Sequence, residues 1–367
     1  MYTELQNLLD GFLSIGVPGF DCMIMKNGVC VFRHSGGYSD LQAKTPIRGD
    51  ERYNIYSSSK VITCTAALQL WEQGAFSLDD PLADYLPAFR EMTVRCGDTV
   101  RKAEHPILIR HLFGMSAGFS YDYNLPALIR AREQSGGKCP TVQTMEMLAQ
   151  EPLMFEPGER WLYSFSHDVL AALVEKLSGM RFAEYVKKNI FDPLGMDHST
   201  FHVPDEEVDT VSPLYVYDKT SQTVTDLGRT TYSRRSFGSE FESGGAGCVS
   251  TVEDYMKFLE ALRIGDVILK KQTIDMMTTD HLTPGQRKTF WWGGHSGYGL
   301  GVQCPSATGN WVGFGWSGAA GAYPLVDRES GLSFFYARHI LNMNNDSIND
   351  QIVAQIRKII AKWREMD

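Results

Sequence analysis

The sequence lacks the features that would indicate a membrane or a nucleic-acid partner. It has no basic run, and 35 lysines and arginines against 44 aspartates and glutamates give a net charge of −9 and a pI near 5.5. Phosphate backbones and anionic lipid surfaces repel such an acidic chain. The most apolar stretch, residues 61–71, is shorter than the roughly 20 residues that span a bilayer. We therefore expect no nucleic-acid partner, no membrane partner and a small-molecule substrate.

Cysteine pairs at metal or redox spacing are also missing. The seven cysteines are odd in number, scattered from Cys22 to Cys304, and include no C-x-x-C pair. Such a pattern is typical of reduced thiols in a cytoplasm. Residues 1–20 carry Glu4 and Asp10 and have neither a basic segment nor a continuous apolar stretch, so they predict an amphipathic helix rather than a secretory signal. Together these observations predict a cytoplasmic protein.

The sequence does contain β-type patterns at both ends, with a helical middle. Asn27-Gly28 between two β-type runs predicts a tight hairpin, because both central residues of such a turn need a positive φ. Residues 59–74 have apolar side chains at helical spacing and end at Gly74, which predicts a long buried helix. Further patterns predict helices at 107–113, 142–150, 167–177, 183–190 and 348–363, and strands at 299–303, 311–315, 320–327 and 332–337.

The order of these patterns predicts the domain organisation. A chain of 367 residues with 43% apolar content is long enough for more than one structural unit. Since the strand patterns lie at the two ends, we expect residues 1–75 and 240–367 to form one mixed α/β domain with a shared sheet. Residues 76–239 would form a mainly helical inserted domain, with the active site in the cleft between the two. The predicted fold class is α+β.

Two serines lie in motifs that nucleophilic serines occupy. Ser116 in GMSAG matches G-x-S-x-G, but that motif exposes its serine only between a strand and a helix. A helix precedes Ser116 and an aromatic loop follows it, so we interpret Gly114 and Gly118 as residues that shape a loop. Ser57, in YSSSK, lies three residues before Lys60 at the start of the long helix, and side chains at that spacing share one helix face.

Ser57 and Lys60 together can provide an activated nucleophile. A serine hydroxyl attacks only when a base takes its proton, and burial lowers the pKa of an amine, which allows a lysine to act as that base. The N-terminal end of the helix would stabilise the negative charge that develops during attack. Only Ser57 among the three serines of YSSSK has this spacing. We therefore predict Ser57 as the nucleophile and Lys60 as its base.

Other motifs are more simply structural. His198 and His202 are four residues apart, but DHSTFH shows no helix and no third ligand, so we predict no metal site. His167 and Asp168 could be half of a serine triad, although SHD is more simply a helix start. The glycines at 243–247 have no lysine after them and match no phosphate-binding loop.

Beyond these patterns, the chain resembles the serine β-lactamase and penicillin-binding protein superfamily. The stretch IYSSSKVITCTAALQLWEQGAFSLDDPLADYLPAF is similar to the first-motif region of class C β-lactamases and family VIII carboxylesterases. The likeness continues, in order and over most of the chain, through ILIRHLFGMSAG, FEPGERWLYSFSHDVLAALVEKLSG, DPLGMDHSTF, SGGAGCVSTVEDYMKFLEAL and GWSGAAGAYPLVDRESGL. The resemblance implies a β-lactamase/DD-peptidase-like fold, with an antiparallel sheet flanked by helices plus a mainly helical domain, and no cofactor.

The resemblance also implies a role for the second motif, Tyr163-Ser164-Phe165. Tyr163 matches the tyrosine that lies beside the serine and lysine in this family and relays a proton. Phe165 stands where class C enzymes have an asparagine. We therefore expect Tyr163 to be catalytic and Phe165 to line the substrate pocket.

For the third motif, Trp316-Ser317-Gly318 is similar to the form found in family VIII esterases. Residues 292–294 and 295–297 resemble variants of the same motif, but they precede the YGLGVQC strand and so come too early in the chain. The resemblance implies that Trp316, Ser317 and Gly318 bind substrate. The backbone N–H of Ala319 would join that of Ser57 as an oxyanion hole.

The implied function is a serine hydrolase that acts through an acyl-enzyme on a small-molecule ester, amide or β-lactam. Class C β-lactamases and peptidases recognise a substrate carboxylate near a third-motif lysine, whereas this chain has Trp316 there. A buried carboxylate needs a partner, so we expect a carboxylesterase on small acyl esters, in a pocket that Tyr121, Tyr123 or Trp292 could extend. A β-lactamase, a D-alanyl-D-alanine carboxypeptidase, an acyltransferase and a non-catalytic acyl-binding sensor remain alternatives. The sequence leaves the oligomeric state open.

Overall fold

The computed structural model describes residues 2–366 of the chain. The strands are β1 (Gly19–Lys26), β2 (Val29–Asp40), β3 (Thr45–Pro46), β4 (Tyr53–Asn54), β5 (Thr93–Cys96), β6 (Thr99–Lys102), β7 (Tyr215–Asp218), β8 (Thr223–Asp226), β9 (Val249–Ser250), β10 (Gly297–Tyr298), β11 (Gln303–Cys304), β12 (Tyr323–Asp327), β13 (Leu332–Arg338) and β14 (Ile340–Leu341).

The helices are α1 (Thr3–Ser14), α2 (Ser59–Glu72), α3 (Ile109–Phe113), α4 (Pro126–Gln134), α5 (Thr141–Met147), α6 (Ser166–Ser178), α7 (Phe182–Val186), α8 (Asp192–Leu194), α9 (Tyr232–Ser236), α10 (Val252–Ile264), α11 (Lys271–Met277), α12 (Pro284–Arg287) and α13 (Asn345–Met366). Short 3₁₀ turns lie at Tyr56–Ser58, Leu82–Asp84, Pro87–Glu91, Leu148–Gln150 and Asp205–Thr210, and a π turn lies at Lys187–Phe191.

A five-stranded sheet in the order β12-β13-β1-β2-β3 joins the two ends of the chain. Its neighbouring strands run antiparallel, and β1 pairs with β13 along its length, from Phe20 opposite Arg338 to Lys26 opposite Leu332. The β1–β2 hairpin turns at Asn27 and Gly28, which have φ values of 51° and 84°, so the predicted hairpin is confirmed. An antiparallel sheet flanked by helices confirms the predicted α+β class.

Both faces of the sheet are covered by helices. Successive residues of a strand point to opposite faces, and even-numbered residues such as Ile24 and Phe334 pack with α1 and α13 in one apolar cluster. On the other face α10 covers the sheet, where Tyr255 stacks on Phe335 with ring centroids 4.4 Å apart. The Tyr255 hydroxyl also donates to the Ser58 carbonyl at 2.8 Å, just before α2, a helix that is buried on nearly all sides although it carries Lys60 and Thr63.

The regular structure in the middle of the chain, residues 76–239, is mainly helical, with short hairpins at β5–β6 and β7–β8. Its helix α6 packs directly against α2, and one continuous apolar cluster contains residues from both parts of the chain. The division into a mixed domain of residues 1–75 and 240–367 and an inserted domain of residues 76–239 therefore stays a prediction.

The predicted helices are present, with shifted ends. The helix expected at 107–113 begins at Ile109, because the Leu108 N–H donates to Nδ1 of His111 at 3.1 Å and closes the helix start there. The last helix, expected at 348–363, runs from residue 345 to residue 366. Helix α2 ends as predicted, with Gly74 just beyond it at φ 75°. No helix in the described part of the chain is long and apolar enough to cross a membrane.

The strands predicted between residues 299 and 322 are largely wrong. Only Gln303–Cys304 forms a ladder there, while Phe314 and Gly315 form isolated bridges. The cause is glycine: Gly301 and Gly313 have φ values of 88° and 70°, which strand residues do not adopt. As a result, residues 316–322 form an irregular segment that enters the sheet only at β12.

Candidate active site

Ser57 lies on a strained turn that leads into α2. The preceding residue, Tyr56, has a φ of 48°, a conformation that costs a residue with a side chain about 1 kcal/mol or more. Ser59 stabilises the turn, because its Oγ donates to the Tyr56 carbonyl at 2.5 Å and accepts from the Cys248 N–H at 3.0 Å. These two hydrogen bonds fix the turn, and Ser57 itself is half-buried.

Lys60 projects from the first turn of α2 and is fully buried. Its Nζ donates to the Gly245 carbonyl at 2.6 Å and lies 3.4 Å from Oγ of Ser57. The rings of Tyr163 and Tyr121 cover the amine, with Nζ 4.4 and 5.5 Å from their centroids. A carbonyl and two aromatic rings thus hold the amine against the serine hydroxyl.

Tyr163 completes the cluster from a distant part of the chain, 106 residues beyond Ser57. Its hydroxyl donates to Oγ of Ser57 at 2.5 Å. Nε1 of Trp316 donates to the same hydroxyl at 3.4 Å, and the two rings are nearly parallel, with centroids 5.6 Å apart. The structure therefore brings together the alcohol, the amine and the phenol named from the sequence, in a geometry that suits proton transfer to and from a nucleophile.

The two predicted oxyanion donors, the N–H groups of Ser57 and Ala319, belong to residues that border the same cavity. Within residues 2–366 neither N–H donates to another protein group. The Gly318 carbonyl, which belongs to the same peptide as the Ala319 N–H, accepts from the Gly321 N–H at 2.9 Å, and this bond fixes the direction of the Ala319 N–H. Unpaired, fixed N–H donors are what an oxyanion hole requires, although this role stays a prediction.

The third-motif segment is fastened to the turn that carries the nucleophile. Oγ of Ser58 donates to the Trp316 carbonyl at 2.9 Å. A Cβ added to Gly318 would lie 2.1 Å from the Ile55 carbonyl oxygen, so only glycine allows this close approach. The contact explains why the motif needs glycine at its third position.

The cluster opens into a cavity of about 490 Å³ with an aromatic wall. Its lining residues are Ser57, Tyr163, Trp291, Trp292, Trp316, Ser317, Gly318, Ala319, Asn345 and Asp346. Trp316, Ser317 and Gly318 thus border the cavity, as predicted from the resemblance. Phe165 does not border it: the ring is fully buried and packs on Tyr121 with centroids 4.7 Å apart. The structure places Phe165 as a support for Tyr121, behind Lys60, rather than in the cavity wall.

The sequence did not reveal the residues that hold Lys60 in place. Asp168, interpreted as part of a helix start, is fully buried, and its carboxylate accepts from Oγ of Ser243 at 2.5 Å and from the Gly245 N–H at 3.1 Å. Burial raises the pKa of Asp168, against the opposing effect of nearby Lys60. Because the Gly245 carbonyl binds Lys60, Asp168 positions the amine through the glycine-rich loop. The glycine-rich run SGGAG, residues 243–247, was the sequence feature that could have indicated this loop.

Ser116 has no comparable surroundings. It is 3% exposed and borders a separate cavity of about 530 Å³, which His111 also lines. Nδ1 of His111 accepts from the Leu108 N–H, so the proton of the neutral ring is on Nε2. Burial also lowers the pKa of His111 to about 4. With its only lone pair already occupied, His111 cannot take a proton from Ser116.

His198 and His202, the pair considered as a metal site, lie near different carboxylates. Nδ1 of His198 lies 3.8 Å from Asp254, while Nδ1 of His202 lies 3.9 Å from a different carboxylate, Glu242. In the part of the chain that the structure describes, no group of three or more His, Cys, Asp or Glu side chains is arranged to hold a metal ion. His167 is buried, and that burial lowers its pKa to about 3; its ring contacts Sγ of Cys64 at 3.6 Å.

The sheet, the buried helix that begins after Ser57 and the cluster around that serine define the β-lactamase/DD-peptidase-like fold. The chain matches the family model described as Beta-lactamase over residues 5–355, and it therefore belongs to the β-lactamase family. Both results confirm the resemblance expected from the motifs.

Similar proteins include esterases. Esterase EstB of Burkholderia gladioli is 28% identical, over 86% of this chain and 84% of its own length. Lovastatin esterase of Penicillium rubens is 29% identical, over 72% of this chain and 68% of its own. Among solved structures, EstCE1, described as a hydrolase with promiscuous acyltransferase activity, has the same fold with a TM-score of 0.78 and 24% identity, covering 95% of this chain and 97% of its own.

Proposed function

We propose that this protein is a serine carboxylesterase that hydrolyses small acyl esters through an acyl-enzyme on Ser57. Membership of the β-lactamase family and similarity to esterases support a serine hydrolase. The observation that carries the choice of substrate is the cavity beside Ser57, which is walled by tryptophan and lined by no cationic side chain. A substrate carboxylate would be desolvated there without a partner, whereas a neutral ester has no such penalty.

The reaction follows from the positions of the three side chains. Oγ of Ser57 attacks the carbonyl carbon while its proton passes to the Lys60–Tyr163 pair, and the N–H groups of Ser57 and Ala319 stabilise the oxyanion. The bond to the alcohol oxygen then breaks, that oxygen takes the proton, and the alcohol leaves. Water attacks the acyl-enzyme with the same pair as its base. The carboxylic acid leaves, and the proton returns to Ser57.

A panel of esters and β-lactams tests this proposal. Wild type should hydrolyse p-nitrophenyl butyrate, and mass spectrometry should show a transient butyryl group on Ser57 that disappears as product forms. Steady nitrocefin turnover that is lost in Ser57→Ala, without any esterase activity, would instead identify a β-lactamase. An acyl group that forms on Ser57 and never leaves would identify a non-catalytic sensor.

One observation favours acyl transfer as a second activity. A trough of about 780 Å³ adjoins the active-site cavity and shares Ala319, Asn345 and Asp346 with it. An alcohol held in the trough could replace water in the second half-reaction, and the description of EstCE1 includes such transfer. Adding increasing butanol to the p-nitrophenyl butyrate assay should produce butyl butyrate at the expense of butyrate. Unchanged butyrate release at every butanol concentration would exclude this activity.

We also propose the cytoplasm as the location and the cleft between the two predicted domains as the site of the cavity. Seven unpaired cysteines support the first point. The second is supported by the origins of the cluster, because Ser57 and Trp316 belong to the predicted mixed domain and Tyr163 to the predicted insert. Cell fractionation and limited proteolysis test the two points separately.

A further inference from the structure

Three tryptophans form a packed cluster at the active-site cavity. Trp292 is nearly perpendicular to Trp291 and to Trp316, at interplanar angles of 71° and 85° with ring centroids 5.7 and 5.5 Å away. Trp291 and Trp316 are closer to parallel, at 27° and 6.3 Å. Trp291 is 59% exposed, so core packing does not account for its position. Large exposed rings beside a cavity indicate a binding surface.

The charge of this cavity is negative. Asp346, in the first turn of α13, is the one charged residue among those that line it. Asp346 is exposed, and within residues 2–366 it forms no hydrogen bond or ion pair. Lys60 lies behind the ring of Tyr163 and is not part of the lining. An entering molecule therefore meets a free carboxylate beside the exposed ring of Trp291 and the half-buried ring of Trp292.

We propose that the preferred substrates are esters of a choline-type alcohol, which carries a quaternary ammonium group. This inference rests on the proposed esterase function and specifies its substrate class. Tryptophan faces are the best aromatic surface for an organic cation, and a nearby carboxylate adds Coulomb attraction. No side chain in the cavity wall repels a positive charge.

The cation belongs on the alcohol part rather than on the acyl part. In the proposed reaction, the leaving oxygen takes its proton from the pair that contains Tyr163, so the alcohol must leave past that phenol. Trp291 and Trp316 flank the ring of Tyr163, with centroids 4.9 and 5.6 Å away. The bonds made and broken are those of ordinary ester hydrolysis, and the released alcohol keeps the ammonium group.

A pair of substrates with the same shape and different charge tests the inference, once the ratio of their rates is divided by the same ratio for alkaline hydrolysis without enzyme, because the ammonium group also makes choline the better leaving group. Butyrylcholine and 3,3-dimethylbutyl butyrate have the same shape, because a carbon replaces the nitrogen in the second ester. For wild type, kcat/KM should be roughly 3-fold to 30-fold higher for the cationic ester. Choline should likewise inhibit hydrolysis of p-nitrophenyl butyrate at lower concentration than 3,3-dimethylbutanol does. A ratio of one or less would overturn the inference.

Variants then test which residues cause the preference for the cationic ester. Asp346→Asn should reduce the cationic preference severalfold. The matched control is Asp98→Asn, which removes the same charge from the exposed turn between β5 and β6 and should leave the preference unchanged. Trp291→Phe should lower the ratio in part and Trp291→Leu further, because leucine has no π face. Equal ratios in Asp346→Asn and Asp98→Asn would contradict the inference, as would equal ratios in the two Trp291 variants.

Failure of this inference and failure of the proposed function give different results. If Ser57 is needed for hydrolysis of the neutral ester but charge gives no advantage, the esterase stands and the choline-type preference is wrong. If wild type hydrolyses neither ester, both proposals fail.

Discussion

The turns around Ser57 and Ser116 share two local features but differ in the groups beside the serine. Each serine follows a non-glycine residue in the left-handed region, with φ values of 48° at Tyr56 and 52° at Met115. Each serine borders a cavity. The difference is that Ser57 has an amine and a phenol beside it, whereas the histidine near Ser116 has its lone pair bound to a backbone N–H. A strained turn and a cavity are therefore not sufficient, because only an available base makes a serine hydroxyl a nucleophile.

The strongest test of this comparison is to remove each hydroxyl in turn. Ser57→Ala should lower kcat/KM for p-nitrophenyl butyrate roughly 10³-fold or more, because no acyl-enzyme can form. Ser116→Ala should retain activity within about twofold, because its hydroxyl takes no part in the reaction. Steady-state kinetics on folded protein, checked by circular dichroism, provide the measurement. The reverse result would move the nucleophile to Ser116.

The second test removes the proton-transfer groups and keeps side chains of similar shape. Lys60→Met and Tyr163→Phe should each lower kcat roughly 10²-fold to 10⁴-fold, the usual contribution of general acid–base catalysis. Lys176→Met, at an exposed position near the end of α6, removes a lysine far from the cluster and is the matched control. If Lys60→Met kept nearly full activity, Lys60 would not be the base and the contrast with Ser116 would need another origin.

A third test weakens only the support of Lys60. Asp168→Ala removes both hydrogen bonds to the 243–247 loop, so Gly245 no longer holds the amine in place. We expect kcat to fall about tenfold with KM nearly unchanged, because positioning acts on the chemical step. Asp168→Asn keeps one acceptor oxygen, so most of the kcat lost in Asp168→Ala should be retained in this variant. A change in KM alone would argue against a positioning role.

The last prediction concerns stability, not activity, on the Ser116 side. The pKa of His111 is lowered to about 4, so the folded state binds no proton there while the unfolded chain does below pH 6.5. The free energy of unfolding should therefore fall as the pH decreases from 6.5 towards 4, by about 3 kcal/mol at most from this residue. His111→Asn should show a shallower dependence in urea titrations. An identical slope in both proteins would mean that His111 titrates normally.

The same contrast shows which parts of the site the sequence could predict. Ser57 and Lys60 are neighbours on one helix face, so their spacing fixes their proximity. Tyr163 and Trp316 came only from the family resemblance, because spacing along the chain says nothing about contacts between residues 106 or 258 positions apart. Asp346 carried no signal at all, since a carboxylate at a helix start is ordinary.

The fold likewise has parts that the sequence could predict and parts that it could not. The β1–β2 hairpin and α2 followed from local chemistry, namely a turn that needs positive φ and a helix that stops at glycine. The strand prediction between residues 299 and 322 failed because the apolar pattern there indicates strands, whereas the glycines at 301 and 313 adopt positive φ values that interrupt them. The expectation for Phe165 was wrong for a different reason: it came from the position of the asparagine in the family motif, and an apolar ring at that position packs on Tyr121 and not in the cavity wall.

The sheet order has a consequence for how the protein is made. On a ribosome the β1–β2 hairpin emerges early, but the strand that covers its open edge, residues 332–338, is synthesised near the end. Until then that edge is unpaired, which is the condition under which nascent chains associate with one another. Translation that stops before residue 332 would therefore give a product that is prone to aggregate and also inactive.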